Sequence, residues 1–154
     1  MLLRTHLSIA LFFVLLVLQF YNFSSQISLG IFVAVALFSS LLPDIDTKHS
    51  RVGKFILLRP LQYLAGHRKV FHSLFFALVV GLIISLFNNL VAWAFVLGYG
   101  VHILSDCFTI MGISIFYPLP RVFRGWIKSG GKSDLIVFIL FLILDLVLVL
   151  RYIS

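Results

Sequence analysis

The stretch GHRKVFHS, Gly66–Ser73, places two histidines and two cations directly before a long apolar run. That run, Leu74–Phe87, contains no charged residue and has the composition of a membrane helix. Ionisable side chains at the edge of a membrane helix are costly to bury in lipid, so each of them requires a physical reason. The stretch therefore predicts a membrane helix that is preceded by ionisable side chains with a functional role.

The composition of the whole chain is typical of an integral membrane protein. Of its 154 residues, 62% are hydrophobic and 11% are charged, whereas soluble domains average about 45–50% and about 25%. The length predicts a single integral membrane domain, residues 1–154. The chain contains no glutamate, and its one cysteine, Cys107, excludes a disulfide framework and a cysteine-based zinc finger.

Five apolar runs predict an all-α, polytopic membrane helix bundle of about five transmembrane spans. The predicted spans are Leu7–Tyr21, Ile27–Leu42, Phe71–Phe87, Leu90–Cys107 and Leu135–Leu150. Spans two and three are joined by a long polar connection. Within it, Val52–Leu64 mixes apolar side chains with cations, which predicts a helix that lies in the membrane interface.

The distribution of lysine and arginine predicts the orientation of the bundle. With five spans, the N-terminus and the connections after spans two and four share one side, which holds every cation except Arg151. By the positive-inside rule this side faces the cytoplasm. The net charge of +7 does not indicate a nucleic-acid partner, because no basic face with base-reading side chains is visible.

Histidines and aspartates gather at the predicted cytoplasmic ends of the spans. These residues are His6, Asp44, Asp46, His67, His72, His102, Asp106 and Asp134. His102 and Asp106 are four residues apart, so on a helix they share one face and can hold one ion. Asp44 and Asp46 follow a helix-ending proline, and two residues apart in an extended segment their carboxylates point the same way.

Their convergence favours a metal site. Nitrogen and oxygen ligands without thiolate suit Zn²⁺, Mn²⁺ or Fe, and the share of carboxylates permits more than one ion. Each residue alone has a simpler explanation, such as a helix cap or a hydrogen bond in the core. The cost of placing so many ionisable groups at a membrane favours the shared explanation. Asp145 lies midway along the last span and is interpreted as an interhelical hydrogen-bonding group.

Three segments together resemble the YdjM-type family of membrane-bound, metal-dependent hydrolases of the inner membrane. They are LLPDID at Leu41–Asp46, GHRKVFHS at Gly66–Ser73 and GYGVHILSDCFTIMGISIFYPL at Gly98–Leu119. With His6, the resemblance covers nearly the whole chain. It implies a prokaryotic plasma (inner) membrane location and hydrolysis at a metal centre. The family usually has threonine where this chain has Phe71, and often glutamate where it has Asp134.

We therefore expect a membrane-embedded, metal-dependent hydrolase that acts on a phosphoester of a lipid or lipid-linked substrate at the cytoplasmic face. The eight His and Asp residues above are the expected ligands of one or more divalent metal ions, with Zn²⁺ preferred and Mn²⁺ or Fe as alternatives. The candidates for catalysis are Asp44, Asp46 and His72. The candidates for substrate binding are Arg68, Lys69, Thr109 and Arg124.

Two functions of other classes remain open. A metal-ion transporter or sensor would bind metal without hydrolysis, although a transporter should carry polar groups through the depth of the bilayer. A structural membrane protein would use the same residues only as helix caps. The metal content of the purified protein distinguishes the structural protein from the other two, and metal uptake into vesicles distinguishes the transporter.

Overall fold

The structure, a computed structural model, describes residues 1–46 and 70–153. Over these residues the chain forms α-helices and one short 3₁₀ helix, and no β-strand. They are α1 Leu3–Phe20, α2 Gln26–Ser39, the 3₁₀ helix Leu42–Asp46, α3 Leu74–Ser85, α4 Asn89–Cys107 and α5 Lys132–Ile153. The predicted all-α fold is confirmed. The expected interfacial helix, Val52–Leu64, lies outside the described residues.

Four segments are long and apolar enough to cross a membrane. They are Leu3–Phe20, Gln26–Asp44, Asn89–Cys107 and Lys132–Ile153, and they correspond to predicted spans one, two, four and five. The remaining helix, α3, has 12 residues and rises about 18 Å, less than the hydrocarbon thickness of about 30 Å. The expected count of about five spans is thus met by four long helices and one short one.

The short length of α3 follows from the residues at its two ends. Its N-cap is Ser73, whose hydroxyl accepts a hydrogen bond from the Phe76 N–H at 3.1 Å, so the helix starts after the predicted Phe71. At the other end, the Asn88 side chain accepts from the Val91 N–H and caps α4. The apolar residues between Ser85 and this cap are therefore not helical.

Helix α4 lies at the centre of the bundle. It packs against α1, α2 and α3, and α1 also packs against α5. Tyr99 and Ile103 of α4 are almost fully buried and form a core with Ala77 of α3. Because α4 contacts three helices, polar side chains near its C-terminal end can meet residues from all of them.

The contact between α2 and α4 is unusually close at Gly98. A Cβ atom at this position would collide with the Ala36 carbonyl oxygen and the Ser39 hydroxyl. The same hydroxyl donates to the Phe95 carbonyl oxygen at 3.2 Å. Backbone therefore packs against backbone, which brings the C-terminal end of α2 beside the last turns of α4.

The segment that joins α4 to α5 is a hydrogen-bonded unit, and we call residues 108–131 the α4–α5 connection. Two isolated β-bridges hold it together, Thr109 with Ile127 and Ile113 with Phe123. Gly112 has φ 65°, a left-handed conformation that favours glycine. From the sequence we expected a polar connection, but the segment also exposes several large apolar side chains.

Candidate metal centre

The candidate centre begins with two side chains on the last turns of α4. His102 and Asp106 are both buried, and His102 Nε2 lies 3.8 Å from Asp106 Oδ2. The prediction that these two residues share one face of a helix is confirmed. Helix α1, the 3₁₀ helix and the residues before α3 bring further His and Asp side chains to the same place.

The hydrogen bond of His102 determines which of its ring nitrogens faces the centre. Its Nδ1 lies 2.6 Å from the Ser40 carbonyl oxygen at the end of α2. A carbonyl oxygen can only accept, so Nδ1 carries the proton and donates it. In the neutral ring Nε2 then carries a lone pair, and it lies 3.9 Å from Asp44 Oδ1 and 3.8 Å from Asp106 Oδ2.

These separations are too long for hydrogen bonds but suit a shared cation. A hydrogen bond would require about 2.7–3.2 Å between the heavy atoms. Two ligands that each lie about 2.0–2.2 Å from one ion can be separated by up to about 4 Å. The distances of His102 Nε2 from Asp44 and Asp106 fall within that limit.

His6, from the first turns of α1, repeats the arrangement of His102. Its Nδ1 lies 2.8 Å from the Ser105 hydroxyl, which donates its own proton to the His102 carbonyl oxygen at 2.8 Å. The hydroxyl therefore accepts from Nδ1–H of His6. This leaves a lone pair on His6 Nε2, 3.4 Å from Asp106 Oδ1. The rings of His6 and His102 stack with centroids 4.0 Å apart and 8° between their planes.

His72 enters the centre from the turn that precedes α3. It is fully buried, and its Nε2 lies 3.7 Å from Asp106 Oδ2. Hydrogen bonds from two directions hold this turn in place. The Tyr99 hydroxyl of α4 donates to the Phe71 carbonyl oxygen at 2.6 Å, and the Leu74 N–H donates to a carbonyl oxygen of the α4–α5 connection at 2.8 Å.

The described residues contain two overlapping groups of potential metal ligands. One is His6, Asp44 and His102, and the other is His72, His102 and Asp106; within each group the ligand atoms lie within 4.8 Å of one another. His102 Nε2 has one lone pair and can bind only one ion. The five side chains therefore form one continuous donor set around a single ion or two neighbouring ions.

This donor set fits a transition-metal ion. Among the described residues, His6 Nε2 and His102 Nε2 are buried and have no hydrogen-bond partner, which is rare for buried polar atoms unless they have another role. In metal sites, a ligating histidine usually donates its other ring N–H to a neighbouring acceptor, as both rings do here. Three imidazoles and two carboxylates suit Zn²⁺, Mn²⁺ or Fe.

Asp134, also an expected ligand, belongs to neither group and has a different set of contacts. Its Oδ2 accepts hydrogen bonds from the Leu2 N–H at 3.2 Å and the Gly130 N–H at 2.8 Å. These bonds join the start of α1 to the start of α5. Beside them, the Met1 α-amino group lies 2.9 Å from Asp106 Oδ1. Asp134 thus helps to hold the helix that carries His6.

The remaining predicted site residues lie elsewhere. Thr109 is buried, and its hydroxyl donates to the Asp106 carbonyl oxygen at 2.7 Å and accepts from the Gly112 N–H. It therefore fixes the end of α4. Arg124 is exposed on the α4–α5 connection. The side chain of Asp46 is not among those described, and His67, Arg68 and Lys69 lie outside the described residues.

Sequence reasoning missed the two groups that orient the histidines, the Ser40 carbonyl and the Ser105 hydroxyl. Ser105 is three residues from His102, so its bond to the His102 carbonyl oxygen could have been expected from helical spacing. Its contact with His6 joins residues 99 positions apart, and the Ser40 contact joins residues 62 positions apart. No local pattern indicates contacts at such separations.

Fold and site together define a polytopic helical membrane protein with a buried His/Asp cluster at one end of its bundle. The chain belongs to the YdjM inner membrane protein family, whose model matches residues 1–153. The family resemblance and the membrane location are thereby confirmed. The chain is also similar to a Bacillus subtilis (strain 168) protein with the name Uncharacterized protein YvsG, with 31% identity over 104 residues. That match covers 64% of this chain and 65% of the relative, slightly less than two thirds of its length. No solved structure matches the chain.

Proposed function

We propose that this protein is a metal-dependent hydrolase that cleaves a phosphoester of a lipid or lipid-linked substrate at the cytoplasmic face of the membrane. The proposal of a bound metal rests on one observation, that the Nε2 lone pair of His102 faces the carboxylates of Asp44 and Asp106. Electron pairs that face one another in a buried site repel, and a cation between them removes the repulsion.

Four of the five side chains can be assigned separate roles in such a site. A divalent ion held here would lower the pKa of a bound water toward neutrality and offset negative charge at a phosphoryl oxygen. His6, His102 and Asp106 are buried and held by other groups, so they fix the geometry. The Asp44 side chain is 19% exposed and lies at the accessible edge of the centre. We assign it the role of accepting the proton of the attacking water.

A lipid substrate is supported by the location of the centre. Four of its five side chains lie near the ends of segments that are long enough to cross a membrane, Leu3–Phe20, Gln26–Asp44 and Asn89–Cys107. A site at these ends is near the depth of the phospholipid headgroups. Neither a serine nucleophile elbow nor an activated cysteine is recognised in the sequence, which favours attack by water.

Transport or sensing of a metal ion is the second candidate, and Asp145 is the observation that favours it. This buried carboxylate of α5 belongs to neither ligand group, and its Oδ2 accepts from the hydroxyl of Ser8, two residues from His6, at 3.0 Å. Ionisable groups buried within membrane helices often mark an ion pathway. One such group does not make a continuous path, so we rank this candidate second.

The test combines metal analysis with turnover in reconstituted vesicles. Purified protein supplied with Zn²⁺ or Mn²⁺ should release a headgroup from at least one anionic lipid in a panel followed by mass spectrometry, and chelation should abolish the release. Asp44→Asn and His72→Ala should also abolish it. Asp145→Asn is the matched control, since it removes a buried carboxylate outside the centre, and it should retain turnover.

Two outcomes would contradict the proposal. Metal bound at the centre, together with uptake into the vesicles and no lipid turnover, would identify a transporter. Protein that purifies without bound metal and fails to take up Zn²⁺ or Mn²⁺ during equilibrium dialysis would exclude both the hydrolase and the transporter.

A further inference from the structure

Several backbone hydrogen bonds within the α4–α5 connection hold it together. Ile113 and Phe123 exchange N–H to carbonyl hydrogen bonds of 3.0 and 2.9 Å, and the Ile127 N–H donates to the Phe108 carbonyl oxygen at 2.9 Å. The Gly125 N–H likewise donates to the Thr109 carbonyl oxygen at 3.0 Å. Pairing of backbone groups lowers the cost of placing a non-helical segment at the edge of a membrane.

The exterior of this connection is unusually apolar for a segment between helices. Its exposed large apolar side chains are Phe108, Ile110, Met111, Phe116, Leu119, Val122 and Trp126. Trp126 is 72% exposed. Exposed apolar side chains at this density mark an interaction surface rather than ordinary scatter. Tryptophan in particular is enriched where a protein meets the interface between lipid and water.

The same exterior is positively charged. Arg121, Arg124 and Lys128 are exposed, and no acidic residue lies between Asp106 and Asp134. The Arg121 guanidinium lies over the Phe123 ring, 5.5 Å from its centroid, so a cation is held beside an aromatic side chain. Apolar side chains interleaved with cations are complementary to a membrane surface that contains anionic phospholipids.

The position of the connection identifies which partner covers this exterior. The segment is continuous with α4 and α5, both long enough to cross a membrane. It folds back against the end of α4, since the bond from Ile127 reaches Phe108, the C-cap of that helix. The exposed side chains are therefore tethered at the level where a bilayer ends. Lipid at the end of the bundle that holds the candidate metal centre is the partner in reach.

We propose that the α4–α5 connection is a binding element for anionic phospholipids. Its apolar side chains enter the leaflet beside the metal centre, and Arg121, Arg124 and Lys128 bind the headgroup phosphates. This binding does not depend on any hydrolytic step. Only its consequence, a raised local concentration of phosphoester next to the centre, rests on the proposed function.

The two tryptophans of the chain supply a matched pair of probes. Trp126 lies on the α4–α5 connection, and Trp93 lies near the start of α4, at the opposite end of the bundle. Both are 72% exposed. Trp93→Phe leaves Trp126 as the single fluorophore, and Trp126→Phe leaves Trp93. Each variant is reconstituted as full-length protein in vesicles that contain brominated lipid, which quenches tryptophan on contact.

Trp126 should be quenched by lipids brominated near the headgroup, and more strongly when the brominated lipid is phosphatidylglycerol than when it is phosphatidylcholine. We expect a preference of about fivefold for each cation that engages a headgroup. The preference should fall as the salt concentration rises, because ions screen exposed charges. Trp93 should be quenched by lipid without this preference for the anionic headgroup.

Charge variants connect the preference to the named cations. In the Trp93→Phe background we combine three substitutions, Arg121→Gln, Arg124→Gln and Lys128→Gln. The preference of Trp126 for quenching by the anionic lipid should then fall to the level seen for Trp93. Arg151→Gln, at the far end of α5, is the control and should leave it unchanged. Lipid quenching of Trp93 in the combined charge variant, with Trp126 replaced by phenylalanine, verifies that this variant is folded in the membrane.

Two results would overturn the proposal. If no brominated lipid quenches Trp126 while Trp93 is quenched, the connection lies outside the bilayer. Equal quenching of Trp126 by the anionic and zwitterionic lipids would show that the connection does not bind anionic headgroups selectively. If the protein hydrolyses lipid but Trp126 shows no preference for the anionic lipid, only the proposed lipid-binding role of the connection is refuted. If Trp126 shows the preference but no lipid is hydrolysed, only the proposed function is refuted.

Discussion

At the scale of single residues, the orientation of two imidazoles, those of His6 and His102, depends on partners outside the donor set. The Ser40 carbonyl turns His102 Nε2 toward the carboxylates, and the Ser105 hydroxyl does the same for His6. Such partners typically contribute a factor of about 10–100 to metal affinity. Metal binding should therefore be sensitive both to the ligands and to the groups behind them.

Removal of a ligand should lower the metal content of the purified protein. For His102→Ala and Asp106→Ala we expect losses in affinity of at least about 100-fold, because the removed groups would contact the ion directly. The measurement is metal content by mass spectrometry after dialysis against a buffered metal concentration. Cys107→Ala is the control, since this side chain donates to the Ile103 carbonyl oxygen within its own helix. Unchanged metal content in both ligand variants would exclude the centre.

Ser105→Ala should weaken metal binding without removing a ligand. The substitution deletes the acceptor of the His6 Nδ1–H, so the ring is no longer fixed with Nε2 toward Asp106, and affinity should fall by about 10-fold or more. Ser85→Ala is closely matched, because Ser85 also donates to the carbonyl oxygen three residues earlier in its helix. Equal affinities for the two variants, measured by competition with a chelating dye, would remove Ser105 from the site.

Much of the residue-scale site could be predicted because helical spacing is local information. The spacing of four placed His102 and Asp106 on one face, and the cost of burying charge indicated that separate clusters meet. The roles of individual acids could not be predicted in this way. From the sequence, Asp134 could be either a metal ligand or a residue that starts a helix. Its hydrogen bonds to Leu2 and Gly130 depend on how α1 docks against α5.

At the scale of helices, the close contact at Gly98 determines how near the Ser40 carbonyl comes to His102. Gly98→Ala should push α2 away from α4, since the added methyl collides with the Ala36 carbonyl oxygen. Overpacking of this kind costs about 1–3 kcal/mol, and the loss of the His102 hydrogen bond should reduce metal affinity as well. Thermal unfolding in detergent and metal titration measure the two effects.

Gly100→Ala is the matched control for this substitution. Gly100 lies in the same helix, and a Cβ at that position would meet nothing within 4 Å. Alanine is the better helix former by about 1 kcal/mol, so this variant should be neutral or stabilised. If both variants unfold at the same temperature and bind metal equally, the contact between α2 and α4 does not position His102.

The length of α3 was the element that the sequence predicted least well. Hydropathy treats Phe71–Phe87 as one apolar run, although Ser73 and Asn88 end the helical part from either side. The information is present in the sequence, because serine and asparagine are good N-caps. It competes with a strong apolar signal, and only the packed structure shows which one determines the helix boundaries.

At the scale of the whole molecule, the packing of the helices shows which helix ends lie on the same side of the bundle. The start of α1 and the C-terminal end of α4 both lie at the candidate metal centre, so the N-terminal end of α4 lies at the other end of the bundle. The chain must therefore pass from one end to the other between His72 and Asn89. The short α3 makes this crossing with the help of non-helical residues at its ends.

Cysteine labelling in cells tests this arrangement. In a Cys107→Ala background, a cysteine at Ser129 should react only with a reagent that reaches the cytoplasm. Cysteines at Ser24 and Asn88 should react with an impermeant reagent from outside, because both positions lie at the end opposite the centre. Labelling of Asn88 and Ser129 from the same side would contradict a crossing by α4. Labelling of Ser24 and Asn88 from opposite sides would contradict a crossing by α3. Cysteine-free protein gives the background.

Composition and apolar runs were sufficient to predict the class of protein, the helices and the end at which the polar groups gather. The neighbours of each helix could not be predicted, because apolar side chains in lipid carry little information about partners. The pairing of α1 with both α4 and α5 is an example. That pairing is what brings His6 to Asp106 and Leu2 to Asp134.

The separation of the ligands along the chain has a consequence for biogenesis. His6 and Asp44 leave the ribosome first. His102, which belongs to both ligand groups, and Asp106 leave last. At about 5–20 residues per second, Asp106 is synthesised roughly 3–12 s after Asp44. Until α4 is inserted, the earlier ligands are in the membrane without His102 and Asp106. Nascent chains arrested before α4 should bind no metal, so metal loading would mark the insertion of α4.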